Sequence, residues 1–337
     1  MTNRLAPLHR GYNFGYLAPR GYYASPEAAA EVDAMAEAGA KSVALMVTVM
    51  QETFASTRLY QDFEYTASDE ELARIIEHIH GRGMQVLLKP VVECQDSAWR
   101  GRITFPRDDR QIQGRYVDYW ARWFDSYAKV VRHYGALAER TGCALFSVGC
   151  ELQGMDDRIE HWSRIIAEAR QVFSGPLTTQ VNDPALVAGA DYAWLRELDV
   201  LSISFYKSSA PKPGASVAEM KAHLAPQVAG LRALAEEYGL AILFNESGCR
   251  SLHGAATDPG DYRPSGAYSG QEQADFAEAL LSSFWNEDWW RGLYWWKWEE
   301  QQRRPHYYED PAGDSGFTVR GKPAADVIAR WYTRTDR

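Results

Sequence analysis

The chain has 337 residues, 46% of them hydrophobic and 24% charged, which is enough apolar material to bury a large core and too much for a disordered chain. With 36 Lys and Arg against 45 Asp and Glu, the formal charge of -9 has the wrong sign for a protein that lives on phosphate backbones. No apolar run approaches the roughly 18 to 20 residues that span a bilayer, and the opening residues Met1 to Arg10 hold no apolar signal core, so neither nucleic acid nor membrane is an expected partner.

In chain order, buried-strand patterns fall near Arg10 to Phe14, Lys41 to Val49, Met84 to Val91, Cys143 to Glu151, Leu177 to Val181, Asp199 to Tyr206, Leu240 to Glu246 and Gly292 to Trp298. Segments of helical periodicity separate them. Several begin on start signals: Ser25 before Pro26, and the capping-box pairs Ser68 with Glu71, Ser216 with Glu219 and Ser269 with Glu272. A last helix is expected from about Pro323 to Trp331. Eight strand-helix units of this length predict an α/β fold, a (β/α)8 TIM barrel, with residues 1–337 forming a single catalytic domain. A doubly wound sheet fits less well, because no Gly-rich phosphate fingerprint follows the first strand. The longest irregular segments, Glu93 to Gln111, Gly248 to Gly270 and Glu299 to Lys322, all fall at the C-terminal face, where such barrels build their sites.

Two apolar strands end in glutamates, Glu151 and Glu246. Hydrolysis of a sugar acetal needs one carboxylic acid to protonate the leaving oxygen and one carboxylate to attack or stabilise the anomeric carbon, and two glutamates on one rim meet that need. The bland alternative pairs each with a nearby Arg or Lys. Twelve Trp and nineteen Tyr, many beside polar residues, offer flat apolar faces with donors, which suit sugar rings. Alternation along strand eight puts Trp296 and Trp298 on one face and Trp295 and Lys297 on the other. Lys89, Asn182 and Asn13 are rim candidates for holding sugar hydroxyls, with Glu93 as a structural partner for Lys89.

The segments Arg10-Gly-Tyr-Asn-Phe-Gly15, Ser147-Val-Gly-Cys-Glu151, Phe244-Asn-Glu-Ser-Gly248, Tyr294-Trp-Trp-Lys-Trp298 and Gly316-Phe-Thr-Val-Arg-Gly-Lys-Pro-Ala324 carry a resemblance that spans nearly the whole chain. The sequence resembles clan A glycoside hydrolases, and most closely the family 113 β-mannanases. That resemblance implies Glu151 as acid/base, Glu246 as nucleophile, Tyr206 as hydrogen-bond donor to the nucleophile, and Trp296 as the platform under the sugar. It also implies a retaining endo-β-1,4-mannanase acting on mannan or manno-oligosaccharides without a cofactor. Many clan members carry Asn before the acid/base, whereas this chain has Cys150, and family 113 is similar in lacking that Asn. Cys150, Asn245 and Trp298 join the expected substrate-binding set. For these roles Glu246 should stay ionised, helped by donors, while partial burial and the neighbouring charge keep a proton on Glu151.

The competing enzyme readings are another clan A β-glycanase, an exo-β-mannosidase or a transglycosylase, since loop shape decides among them. A non-catalytic carbohydrate-binding barrel would have little reason to keep both glutamates. A soft-metal site from Cys94, Cys150 and Cys249 with His253 lacks short ligand spacings, and the remaining His, at 9, 78, 80, 133, 161, 223 and 306, mostly fall in helices or loops, so no metal is expected. Four cysteines with no C-x-x-C spacing, and no visible signal, point to a reducing compartment, the cytoplasm. The expected partner is a β-linked oligo- or polysaccharide; the sequence leaves oligomeric state open.

Overall fold

Period-two patterning sets one side of each strand toward the barrel axis and the other toward the helices. In the computed structural model, which describes residues 8–106, 111–112, 115–182, 192–263, 266–298 and 314–335, all eight predicted strands form and close into a parallel barrel. They are β1 (His9–Phe14), β2 (Ser42–Gln51), β3 (Gln85–Cys94), β4 (Leu145–Cys150), β5 (Leu177–Asn182), β6 (Leu201–Ser204), β7 (Ile242–Ser247) and β8 (Trp290–Trp295), with β8 pairing back on β1. Inward side chains fill the lower barrel as one apolar cluster of Ala44, Leu87, Leu145, Val200, Leu243 and Tyr294. Outward residues such as Val43, Leu88, Phe146 and Phe244 join the larger layer beneath the helices.

The helices are α1 (Pro26–Glu37), α2 (Asp69–Gly81), α3 (Tyr119–Thr141), α4 (Ile159–Val172), α5 (Val217–Tyr238), α6 (Gly270–Phe284) and α7 (Pro323–Tyr332). Ser68 with Glu71 and Ser216 with Glu219 make full capping boxes. The third expected box is only half made: Ser269 accepts from the Glu272 backbone, but the Glu272 carboxylate turns away to the Gly254 and Ala256 backbone N–H groups in the loop after β7. Of the fifth unit, residues 183–191 lie outside the described residues. Among the described residues it carries a 3-10 turn, Ala193–Glu197, which covers the barrel with a buried Trp194 stacked on Trp162 at 4.9 Å. No helix among the described residues is long and apolar enough to cross a membrane. Of the three expected long loops, 107–110, 264–265 and 299–313 lie outside the described residues, and with them His306.

Candidate active site

Both glutamate strands break their register just before the glutamate. The β4–β5 pairing shifts between Ser147 and Cys150, and β7 shifts after Phe244 against both neighbours. Such irregularities re-aim side chains at sheet ends. In β7, Leu243 faces the barrel and Phe244 faces the helices, and the shift brings Glu246 in beside the inward Gln180 and Lys89. In β4 the inward Cys150 is followed by Glu151 at φ 53°, a left-handed conformation that non-glycine residues adopt rarely and mostly at functional sites.

Glu246 sits on a polar scaffold built inside the barrel. Lys89 is 0% exposed, and its ammonium donates to Asn13 Oδ1 at 2.6 Å and Gln180 Oε1 at 2.9 Å, and lies 3.6 Å from Glu246 Oε2. Because the Gln180 oxygen faces that cation, its amide nitrogen points the other way, donating to Glu246 Oε2 at 2.9 Å and to Ser204 Oγ at 2.7 Å. Tyr206 donates to Glu246 Oε1 at 2.9 Å. Asn13 is fixed in turn by its own donations to the Asn245 and Tyr294 carbonyls. Burial, then the charge of Glu151, push the Glu246 pKa up, and Lys89, Gln180 and Tyr206 oppose that rise. Burial and the adjacent Glu246 hold the Tyr206 phenol well above its ordinary range, so it remains a donor.

Glu151 is held differently. Ser204 Oγ donates to its Oε1 at 2.7 Å, Arg100 Nη1 to its Oε2 at 2.9 Å, and Trp99 Nε1 reaches the same oxygen at 3.4 Å. The two carboxylates are thereby linked through Ser204 and Gln180. Every side chain bound to Glu151 is a donor: a hydroxyl, a guanidinium and an indole N–H. Arg100, Gln180 and Ser204 escaped the sequence reading. Period two from Thr178 marks Gln180 as inward, and that was the available signal for it.

Several other expectations change with the geometry. Lys89 does not pair with Glu93, which instead binds Arg100. Lys89, Asn13, Cys150 and Asn245 are all buried, so they present no surface to a sugar. Lys89 and Asn13 lie under the nucleophile position, while Cys150 packs with Met46 and Val91 beneath Trp296. Burial pushes the Cys150 thiol up to about 12. Trp298 is also removed from the cleft, because β8 ends at Trp295 and the alternation stops there. At 3% exposure it stacks edge-on to Tyr12 and donates to Glu31 of α1 at 2.6 Å, in the layer between barrel and helices.

Trp296 and Asn182 remain half-buried at the rim. The Trp296 ring meets Tyr16 edge-on at 5.2 Å. Its backbone carbonyl enters a space that only a glycine leaves open, since a Cβ on Gly248 would stand 2.1 Å from it. All four cysteines are free and buried, and among the described residues no group of three His, Cys, Asp or Glu side chains is arranged to hold a metal ion.

Comparison with curated protein sequences gives no match. Among solved structures, the fold is similar to a GH113 β-1,4-mannanase at a TM-score of 0.85 and 28% identity, over 98% of this chain and 100% of that one. It is also similar to the GH113 β-mannanase AaManA of Alicyclobacillus acidocaldarius, determined in complex with ManMIm, at a TM-score of 0.83 and 30% identity over 98% and 99% of the two chains. A family 5 glycoside hydrolase of Streptomyces cattleya in complex with Manβ1-4GlcNAc shares the fold at a TM-score of 0.64 and 14% identity, over 98% of this chain and 82% of that one. The family model for Glycoside Hydrolase Family 113 matches residues 12–322, and the chain belongs to that family.

Proposed function

We propose that this protein is a retaining endo-β-1,4-mannanase that cleaves mannan or manno-oligosaccharides by double displacement. The observation that carries the reading is the pair of glutamates at the ends of β4 and β7, linked through Ser204 and Gln180, with Tyr206 on Glu246. The sugar class is supported by the β-mannanases among the similar structures, one of them bound to ManMIm.

In this scheme Glu246 attacks the anomeric carbon while Glu151 gives its proton to the departing glycosidic oxygen, which keeps the electron pair of the broken bond. A glycosyl ester forms on Glu246. Esterification neutralises that carboxylate, and Glu151, now ionised, takes a proton from the water that attacks the same carbon. Two inversions give net retention. Tyr206 and Gln180 orient the attacking oxygens, and Lys89 beneath them favours the ionised nucleophile. Trp296 and Asn182, half-buried at the rim, are the remaining surfaces for sugar contact from the expected set. We place the reaction in the cytoplasm, on imported oligosaccharides, a reading supported by four free thiols.

The test is product analysis on manno-, gluco- and xylo-oligosaccharides with the wild type, Glu151→Ala and Glu246→Ala, with the anomer first released followed by proton NMR. The expected result is internal cleavage of the manno series with the β-anomer first, and a loss of about 100-fold or more in each variant. Cleavage of another series alone removes the substrate assignment. Release of the α-anomer first removes the double-displacement mechanism, and binding without cleavage removes the enzyme.

A further inference from the structure

Arg100 uses all three guanidinium nitrogens. Nε donates to the Val92 carbonyl at 3.0 Å, Nη1 to Glu151 at 2.9 Å, and Nη2 to the Glu93 carboxylate and to Tyr16 Oη at 3.4 Å. The residue is 7% exposed. One buried cation is thus divided between two carboxylates, of which only Glu151 also touches the Ser204 and Gln180 link to Glu246.

The turn that carries Arg100, Arg100–Arg102, is fixed by close backbone approach. A Cβ on Gly154, in the turn that follows Glu151, would stand 2.3 Å from the Ile103 carbonyl, and one on Gly101 would stand 2.4 Å from the Trp99 ring. The cation is therefore held in register with the end of β4. The other titratable groups near Glu151 are Cys150 on its own strand, Tyr206 after β6 and Glu246 on β7, with Lys89 of β3 behind Glu246 and Tyr16 reaching Arg100 from the loop after β1. Changing Arg100 or Glu93 leaves the Lys89, Gln180 and Tyr206 contacts of Glu246 in place.

We infer that Arg100, balanced by Glu93, is the positioning residue that sets how readily Glu151 takes up and releases its proton. The guanidinium favours the carboxylate form, which is the form that accepts a proton from water in the second step. Glu93 competes for the same charge and so keeps the protonated form accessible for the first step. Neither Arg100 nor Glu93 exchanges a proton: the proton moves from Glu151 to the leaving oxygen, and later from water to Glu151. This inference rests on the acid/base role proposed above for Glu151.

The experiment titrates 13C-labelled glutamate carboxyls by NMR in wild type, Arg100→Gln, Arg100→Lys and Glu93→Gln, with the Glu151 signal assigned through Glu151→Gln. The pH profile of kcat/KM on a manno-oligosaccharide is measured beside it. Arg100→Gln is expected to move the Glu151 titration and the alkaline limb upward by about 1 pH unit or more, since a cation at this range lowers a carboxyl by about that much. Arg100→Lys keeps the charge and restores most of the wild-type position. Glu93→Gln leaves the cation to Glu151 alone and moves both readouts downward.

Shifts of the same sign in Arg100→Gln and Glu93→Gln, or no shift in variants that melt as folded proteins, overturn the inference. If Arg100→Gln does not fold, the sign of the Glu93→Gln shift decides alone. Cleavage of manno-oligosaccharides with an unmoved Glu151 titration removes the role of Arg100 and leaves the proposed function. Opposite NMR shifts in a protein that cleaves none of them do the reverse.

Discussion

The seats of the two glutamates differ in where their partners come from. Glu246 rests chiefly on side chains from inside the barrel, Lys89 from β3 and Gln180 from β5, with Asn13 of β1 behind them, all buried, and takes one further donor, Tyr206, from just past β6. Glu151 is held from one side by Ser204 at the end of β6 and from the other by Trp99 and Arg100 of a loop. A nucleophile keeps one charge state until it reacts, and a buried scaffold of fixed strands suits that. An acid/base changes its protonation twice per turnover, and a cation divided with a second carboxylate suits that better. One site therefore uses the rigid barrel for position and its loop for proton exchange.

The strongest way to break this contrast is Lys89→Met, which leaves Glu246 buried without its cation. Burial and Glu151 already raise the Glu246 pKa, so losing Lys89 raises it further and moves the acid limb of the kcat/KM profile to higher pH. Activity falls about tenfold for each unit by which that titration passes the assay pH. The linkage has a definite sign. A carboxyl whose folded pKa is raised costs stability once the unfolded group ionises, and the cost grows as pH climbs from the ordinary carboxylate range to the raised value. Lys89→Met widens that window upward. Its melting temperature lies nearest the wild type in acid and falls behind as pH rises, toward a deficit of about 3 to 5 kcal/mol for a broken buried pair. Adding Glu246→Gln removes the charge and recovers stability without activity. A pH-independent deficit would show that Lys89 serves packing alone.

Gln180→Leu touches both seats at once and has the next largest effect. Both of its amide N–H bonds disappear, and Lys89 loses one acceptor. Leaving buried polar groups unpaired costs about 1 to 3 kcal/mol, which read as transition-state stabilisation is about a 5- to 150-fold fall in kcat. Because the side chain does not face solvent, KM should change little. Steady-state kinetics at several pH values distinguish a shared link from a one-sided one: movement of the acid limb alone would confine Gln180 to the Glu246 seat.

The barrel was legible because strand and helix periods are local properties of the chain. Both glutamates were legible because apolar runs end in them. The rest of the site depends on distances that sequence spacing does not encode. Lys89 and Glu93 share one face of β3, yet they meet different partners, because four residues of extended strand set them about 13 Å apart: Lys89 lies under Glu246 while Glu93 meets a loop cation. Trp298 looked equivalent to Trp296 only while β8 was extended past Trp295; with the strand ended, Trp298 turns to Glu31 on a helix far away in sequence. Asn182 and Trp296 stay at the rim, and Tyr206 meets Glu246 although β6 stops at Ser204, two residues earlier.

The smallest change that still bears on the contrast is Trp99→Phe. The Trp99 N–H reaches Glu151 at 3.4 Å, the outer edge of hydrogen-bond range, and the side chain is on a residue 40% exposed, so water can replace the donor. Phenylalanine keeps an aromatic face while removing that donor. The expected loss is about 0.5 kcal/mol, roughly twofold in kcat/KM, with an alkaline limb that barely moves. Arg100 binds the same oxygen at 2.9 Å from a buried position and carries a full charge, so Arg100→Gln should move the limb much further. Equal shifts in the two variants would mean that the number of donors on Glu151, and not the shared cation, governs its proton. The two seats would then differ only in the strands and loops that supply their hydrogen bonds.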